Sequence, residues 1–258
     1  MEWRDEGIIL GLRRHGETSA IAEVMTRAHG RHMGIVRGGR SRWMQPILQP
    51  GNSVALVWRA RLDEHLGQYQ IEALDQRAGR LMESAAGVQG VQAMAALLRL
   101  LPERDPHPRL HDAFAIILDS LGEPALAGAM YVRLELAVLE DLGFGLDLSQ
   151  CAATGARTDL VYVSPKSGRA VSAGAGLAWA DRLMGLPPFL LSRTEGCDDA
   201  DMLVDAFRLT GHFLHRHVFD PRAIAEPAAR ASFLSSLVRA LSAPAAAIDP
   251  APQRKAFP

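Results

Sequence analysis

The hydrophobic period of the chain changes near residue 78, and that change limits the fold more than any other feature. Before it, apolar residues fall in short runs rich in β-branched side chains: GIILGLRR (Gly7–Arg14), TSAIAEVMTR (Thr18–Arg27), RHMGIVRGG (Arg31–Gly39), SVALVWRARL (Ser53–Leu62) and YQIEAL (Tyr69–Leu74). After it, apolar residues return every three or four positions, as at Val88, Val91, Met94, Ala95, Leu98 and Leu101. Strand side chains alternate between faces, whereas helix side chains share a face every third or fourth residue, so one kind of element cannot serve both patterns. The expected class is α+β, with a β domain over 1–78 and a helical domain over 79–242.

Turn signals punctuate the first part. His15-Gly16 and His29-Gly30 separate consecutive runs, and glycine takes the positive φ of a tight turn at little cost. Five short strands in so few residues suggest a small barrel. The five-stranded OB-fold is the leading candidate, and an SH3-like barrel is compatible with the same count. In the second part, Leu81–Leu101 is expected to be helical up to Pro102, which cannot continue the helix. HPRLHDAFAIILDSLG and PALAGAMYVRLELAVLEDLG give two more helices, the latter capped by Gly143. Further helices are expected over about Asp198–Phe219 and Pro227–Leu241. Between them, an insert at about 149–176 has no helical period, and the Pro- and Ala-rich tail 243–258 is expected to be mobile.

Composition narrows the class of protein. The chain has 258 residues, 48% hydrophobic and 22% charged, which fits a folded rather than a disordered polypeptide. Its net charge of −1 does not decide for or against a polyanionic partner, because the local field governs binding. Only Lys166 and Lys255 among the 28 basic residues are lysine, so the placement of arginines carries more information than their number. Two cysteines, Cys151 and Cys197, are too few for a disulfide framework. MEWRDEGIILGL opens with acids, unlike a signal peptide, and no run approaches the roughly 18 apolar residues of a membrane span. A cytoplasmic protein with no membrane partner is expected.

The arginines gather in one place. From Val24 to Leu62 there are seven, Arg27, Arg31, Arg37, Arg40, Arg42, Arg59 and Arg61, and no Asp or Glu. Arg37, Arg40 and Arg42 surround Gly38-Gly39, Arg31 lies across the hairpin turn from Arg27, and the spacing of Arg59 and Arg61 puts both on one face of a strand. Guanidinium forks hold phosphates and indole faces stack bases. Trp43, in a loop, is the stacking candidate; Trp58, inside an apolar run, reads as core. The alternative reading of the cations is a solvated strand edge.

The insert is the most distinctive text: Cys151-Ala-Ala-Thr154-Gly155, then DLVYVSPKSGRAVS (Asp159–Ser172), then LPPFL (Leu186–Leu190). With GIILGLRRHGETSAIAEVMTRAHGRHMGIVRGGRSR and LQPGNSVALVWRARLDEHLG in the first part, it resembles the RecO family of bacterial DNA repair proteins over nearly all the chain apart from the tail. The resemblance implies an N-terminal OB-fold joined to a helical domain. It also implies binding of single- and double-stranded DNA, annealing of complementary strands, partnership with RecR, and help in loading RecA onto DNA coated by the single-strand-binding protein SSB. Some members take the acidic C-terminal tail of SSB on the helical domain. A nucleoid-associated location would follow.

Some members of that family carry a four-cysteine zinc site in the insert. Here Cys151 stands at the first position, Thr154 replaces the second, and the other CxxC pair is missing, so no metal is expected. The insert is read as a degenerate zinc-ribbon-like element held by Leu160, Tyr162 and Val171, with Cys197 a free thiol in a polar loop. Lys166 and Arg169 are candidate phosphate contacts, or a solvated turn. PKSGR lacks the glycine loop of a nucleotide site, and no cofactor is expected. His212, His215 and His217 have helical spacing for a two-histidine metal face but lack a completing ligand, so they read as surface or packing residues. No nucleophile elbow or HExxH is present, and no catalytic centre is expected. A partner site for an acidic tail needs an apolar pocket rimmed by cations, for which Arg133, Arg208 and Arg216 are candidates. The competing functional class is a protein scaffold whose barrel meets an acidic protein rather than DNA.

Overall fold

The first strand closes the barrel by serving two neighbours. In the computed structural model, which describes residues 1–192 and 194–243, β1 (Glu2–His15) pairs with β4 (Ser53–Arg59) from Glu2 to Ile8. It pairs with β2 (Ser19–Thr26) from Gly7 to His15. A register irregularity between Ile9 and Gly11 lets the long strand bend from one neighbour to the other. β2 runs antiparallel to β3 (Gly30–Val36), β3 meets β5 (Gln68–Asp75) in parallel, and β5 returns antiparallel to β4. The closed order β1-β2-β3-β5-β4 is that of an OB-fold. β1 begins five residues before the expected Gly7 because its first half has β4 as a partner, while β3 and β4 stop at Val36 and Arg59, short of the expected ends.

Two cores share that strand. Ile9 points into the barrel with Val24, Val36, Leu48, Leu56 and Trp58. Its neighbours Ile8 and Leu10 point outward and, with Met25, join the core of the helical part. Alternation along β1 therefore welds barrel to helices.

The helical part comprises α1 (Ala78–Leu81), α2 (Ala85–Leu98), α3 (Pro108–Ser120), α4 (Pro124–Asp141), a short α5 (Ala173–Gly176), α6 (Ala200–Leu214) and α7 (Ala228–Leu241). The helix expected over Leu81–Leu101 is α2, which starts only at Ala85 because the Ser84 hydroxyl accepts the Gly87 N–H as its cap. α6 runs on into one π turn, His215–Phe219. Between α4, α6 and α7 lies a buried ion pair: the Arg230 guanidinium donates to both oxygens of Glu135, at 2.6 and 3.0 Å, and the Thr210 hydroxyl donates to the same carboxylate.

The insert forms a small sheet of its own. β6 (Leu160–Val163), β7 (Ala170–Ser172) and β8 (Met184–Gly185) form a three-stranded sheet in the order β7-β6-β8. Leu160, Val163, Ala170 and Val171 are buried in the helical core, with Tyr162 half-buried beside them. Cys151 Sγ accepts hydrogen bonds from the Ser172 hydroxyl and N–H, and these contacts, with Thr154, hold its thiol down at about 6. Among the described residues no group of three or more His, Cys, Asp or Glu is arranged to hold a metal ion. Cys197 lies in the loop before α6 as a free thiol but is buried, its N–H donating to Ala125 O, and burial pushes its thiol up. Residues 244–258, most of the tail expected to be mobile, lie outside the described residues. No helix among the described residues is long and apolar enough to cross a membrane.

Candidate nucleic-acid interface

An OB barrel receives oligonucleotides on the outer face of its second and third strands and the adjoining loops. Here the helical part covers the half of that face near the β2–β3 turn. Met25 packs into the helical core. Beside it the Glu23 carboxylate, 7% exposed, holds Arg31 at 2.9 Å and Arg99 from the end of α2 at 2.8 Å. Arg31, 13% exposed, is further tied to Glu103 and to Leu101 O. Gly30, at φ +66°, makes the turn, and a Cβ there would lie 1.9 Å from Asp105 O. The linker 101–105 therefore docks directly on the β2–β3 turn. Arg104, itself at φ +64°, donates to the carbonyls of Asp63, Glu64 and His65 and pins the β4–β5 loop.

Several expected contacts are consequently committed elsewhere. Arg27 forms a two-point ion pair with Asp112 of α3, at 3.0 and 3.1 Å, and its guanidinium holds the Asp112 carboxyl below its usual range. Arg31 is a seam residue. Arg59 pairs with Glu2 across β4–β1 at 2.8 and 3.2 Å. Arg61 lies beyond the end of β4, so it does not share a strand face with Arg59. The stretch lacks acids of its own, but the fold supplies them from residues 2, 23, 103 and 112.

The opposite end of the sheet differs. Arg37, Arg40, Arg42 and Trp43 follow β3 and stand beside the β1–β2 hairpin. The Arg40 N–H donates to Thr18 O and its guanidinium to Gly16 O and Glu17 O, which staples the two loops together. Arg13 and Arg14, at the end of β1, join the group; neither was singled out from the sequence, although RR before His15-Gly16 was visible there. Arg13, Arg14, Arg37 and Arg42 are exposed and have no carboxylate partner among the described residues. Trp43 is 87% exposed. It rides on a turn whose other side, Met44, Ile47 and Leu48, packs into the barrel core. Trp58, by contrast, is 0% exposed and donates its indole N–H to Leu66 O, as core.

The candidates in the helical part separate into three places. Lys166 is exposed on the turn before β7, while Arg169 on that turn faces Asp147 at 3.5 Å. Arg208 and His212 line a groove of about 590 Å³ between α6, α7 and β8, and Arg216 and His212 both donate to Pro165 O. His215 pairs with Glu226, which raises its pKa, and His217 stacks on Phe144, so the three histidines do not converge. Arg133 spans Phe189 O and Glu195 O, and its Nε and Nη1 are buried without an acceptor among the described residues. A groove of about 600 Å³ with Leu136, Leu146, Leu148 and Leu190 runs beside it.

Comparison with known proteins covers the barrel and most of the helical part. The family model for the recombination protein O N terminal matches residues 1–77, and that for the recombination protein O C terminal matches residues 88–223. The chain belongs to the RecO family. It is 64% identical to the DNA repair protein RecO of Rhizobium etli over 242 residues, 94% of each chain. It is 62% identical to that of Agrobacterium fabrum over 93% of this chain and 95% of the relative, and 62% identical to that of Mesorhizobium japonicum over 92% and 94%. The matched RecO region includes both the barrel with its arginine-bearing tip and the helical part through the π turn.

Proposed function

We propose that this chain is a non-catalytic DNA repair and recombination protein that binds DNA through the tip formed by Arg13, Arg14, Arg37, Arg40, Arg42 and Trp43. RecO membership supports the repair role. The observation that carries the DNA contact is an exposed indole in a segment whose exposed arginines have no carboxylate partner among the described residues. In this reading the protein binds single- and double-stranded DNA, anneals complementary strands, and acts with RecR to load RecA on SSB-coated DNA. Fluorescence anisotropy with labelled oligonucleotides tests it: Arg37, Arg40 and Arg42 changed together to Ala should weaken binding at least tenfold, while Arg27→Ala or Arg59→Ala should change it less than twofold. Equal losses in all three would remove the distinction on which the assignment rests.

The groove beside Arg133 supports a second contact, with an acidic peptide such as the SSB tail. Arg133 supplies a cation beside Leu136, Leu146, Leu148 and Leu190, which suit an apolar side chain, while its unpartnered nitrogens are buried and Glu140 and Asp147 also line the groove. A labelled tail peptide should bind the protein and lose affinity with Arg133→Ala; unchanged affinity would move that contact to the groove of Arg208 and Arg216 or off this chain. A barrel that meets an acidic protein instead of DNA predicts that the triple variant loses a protein partner and no DNA affinity.

A further inference from the structure

The irregularity in β1 holds an arginine of the helical part against the barrel. The register of β1 on β2 passes from Ile9 opposite Val24 to Gly11 opposite Glu23, so Leu10 is an extra residue with no counterpart in β2. Its carbonyl accepts instead from Nη2 of Arg99, the residue that follows α2, at 3.0 Å. Glu23 accepts from Arg99 Nε at 2.8 Å. Gly11 leaves the space that the guanidinium fills, since a Cβ there would lie 2.6 Å from Nη2. Bulge, glycine and carboxylate together fix one cation on the sheet.

These contacts would suffice for a strut between barrel and helices, but they leave part of Arg99 unused. Its Nη1 has no hydrogen-bond partner among the described residues, and the side chain is 40% exposed. Arg99 and Arg13 line one pocket of about 160 Å³, together with Gly11, Ile21, Glu23 and Met33. That is room for about five waters, the size of a phosphodiester group rather than of a whole nucleotide. Glu23 is the one acid of the lining, and both its oxygens are taken, Oε1 by Arg31 at 2.9 Å and Oε2 by Arg99. Arg13 has no carboxylate partner among the described residues. The pocket therefore sets two guanidiniums against a carboxylate already shared with a third, and half-buried Ile21 and Met33 give it an apolar side.

We infer that this pocket is a phosphate subsite of the DNA interface, taking one backbone phosphodiester between Arg99 and Arg13. The inference rests on the DNA reading above and adds to it a residue of the helical part. Guanidiniums hold phosphate by charge-assisted hydrogen bonds, and one already fixed by its surroundings loses less freedom on binding. Ile21 and Met33 meet the adjoining deoxyribose, a contact that free phosphate lacks. Because Leu10 O and Glu23 position Arg99, a strand held here engages both parts of the chain.

Methyl NMR of the methionines tests the place. A short single strand should shift the Met33 methyl and leave that of Met25, buried in the helical core, unmoved. Arg99→Gln and Arg13→Ala should each weaken single-strand binding about tenfold, the scale of one charge-assisted hydrogen bond. The double variant should lose clearly less than the product of the two, because both side chains act on one phosphate. If Arg99→Gln lowers the urea unfolding midpoint yet keeps full DNA affinity, Arg99 is a strut only and the inference is overturned. A Met33 methyl that stays still while the strand binds overturns it too. So does a Met33 shift of equal size with inorganic phosphate at the same phosphate concentration, which would make the pocket an anion site unrelated to DNA. In each of these cases Arg37, Arg40 and Arg42 changed to Ala should still weaken the strand; if they do not, the DNA reading itself fails.

Discussion

At the scale of single residues, burial decides which ionisable groups serve stability. His32 sits under the barrel's aromatic cluster, edge-on to Trp3 and Trp58, with Nδ1 2.9 Å from the Tyr69 hydroxyl. Burial, with Arg104 nearby, pushes its pKa down to about 4. The folded state therefore keeps His32 neutral while the unfolded chain protonates it below its ordinary value of about 6.5. More protons bound to the unfolded state means that stability falls as pH drops from about 6.5 to about 4, by about 3 kcal/mol at most. Urea unfolding at a series of pH values should show this slope, and His32→Gln should flatten it. Glu135 is the second case. Glu135→Gln leaves Arg230 with Glu226 as its remaining carboxylate and should cost about 2–3 kcal/mol, read as a lower unfolding midpoint with unchanged DNA affinity. RHMGIVRGG was legible as a strand but its buried side was not, because His32, Gly34 and Val36 are buried while Met33 and Ile35 are only half-buried. The second partner of Arg31, Glu103, was not legible, because it stands 72 positions away and only the docked linker brings it near.

At the scale of elements, the β2–β3 turn is a joint as well as a turn. Its glycine was expected for backbone reasons alone, yet the same position is in contact with the linker after α2. Gly30→Ala forces both a disfavoured φ and an overlap with Asp105 O, so it should destabilise by about 2–3 kcal/mol. Hydrogen exchange should localise the loosening to β2, β3 and residues 101–105. Periodicity gave the helices their faces but not the start of α2 at Ala85, which is set by the Ser84 cap rather than by the apolar period. In the insert, DLVYVSPKSGRAVS was read as a turn element around Leu160, Tyr162 and Val171, and the pairing of β6 with β7 agrees. The third strand at Met184 was invisible, being two residues long.

At the scale of the molecule, the arginine cluster divides by the company it keeps. Cations near the helices are neutralised by carboxylates from distant parts of the chain, and those at the far end of the barrel are not. Charge counting along the sequence sees only the sum. With about four free guanidiniums at the tip and about 0.7 counterion released per phosphate on single strands, the log–log salt slope for single-strand binding should be roughly −3. Arg27→Ala should leave that slope unchanged and Arg42→Ala should reduce it by about 0.7. Both arms are read by anisotropy across a salt series. The first strand carries a last consequence. Because Ile8 and Leu10 belong to one interior and Ile9 to the other, sliding this segment by a single position would expel all three from their places at once. Deleting or inserting one residue between Glu6 and Gly11 should thus abolish the native state altogether instead of merely loosening one lobe, a vulnerability that no substitution on the tip would share.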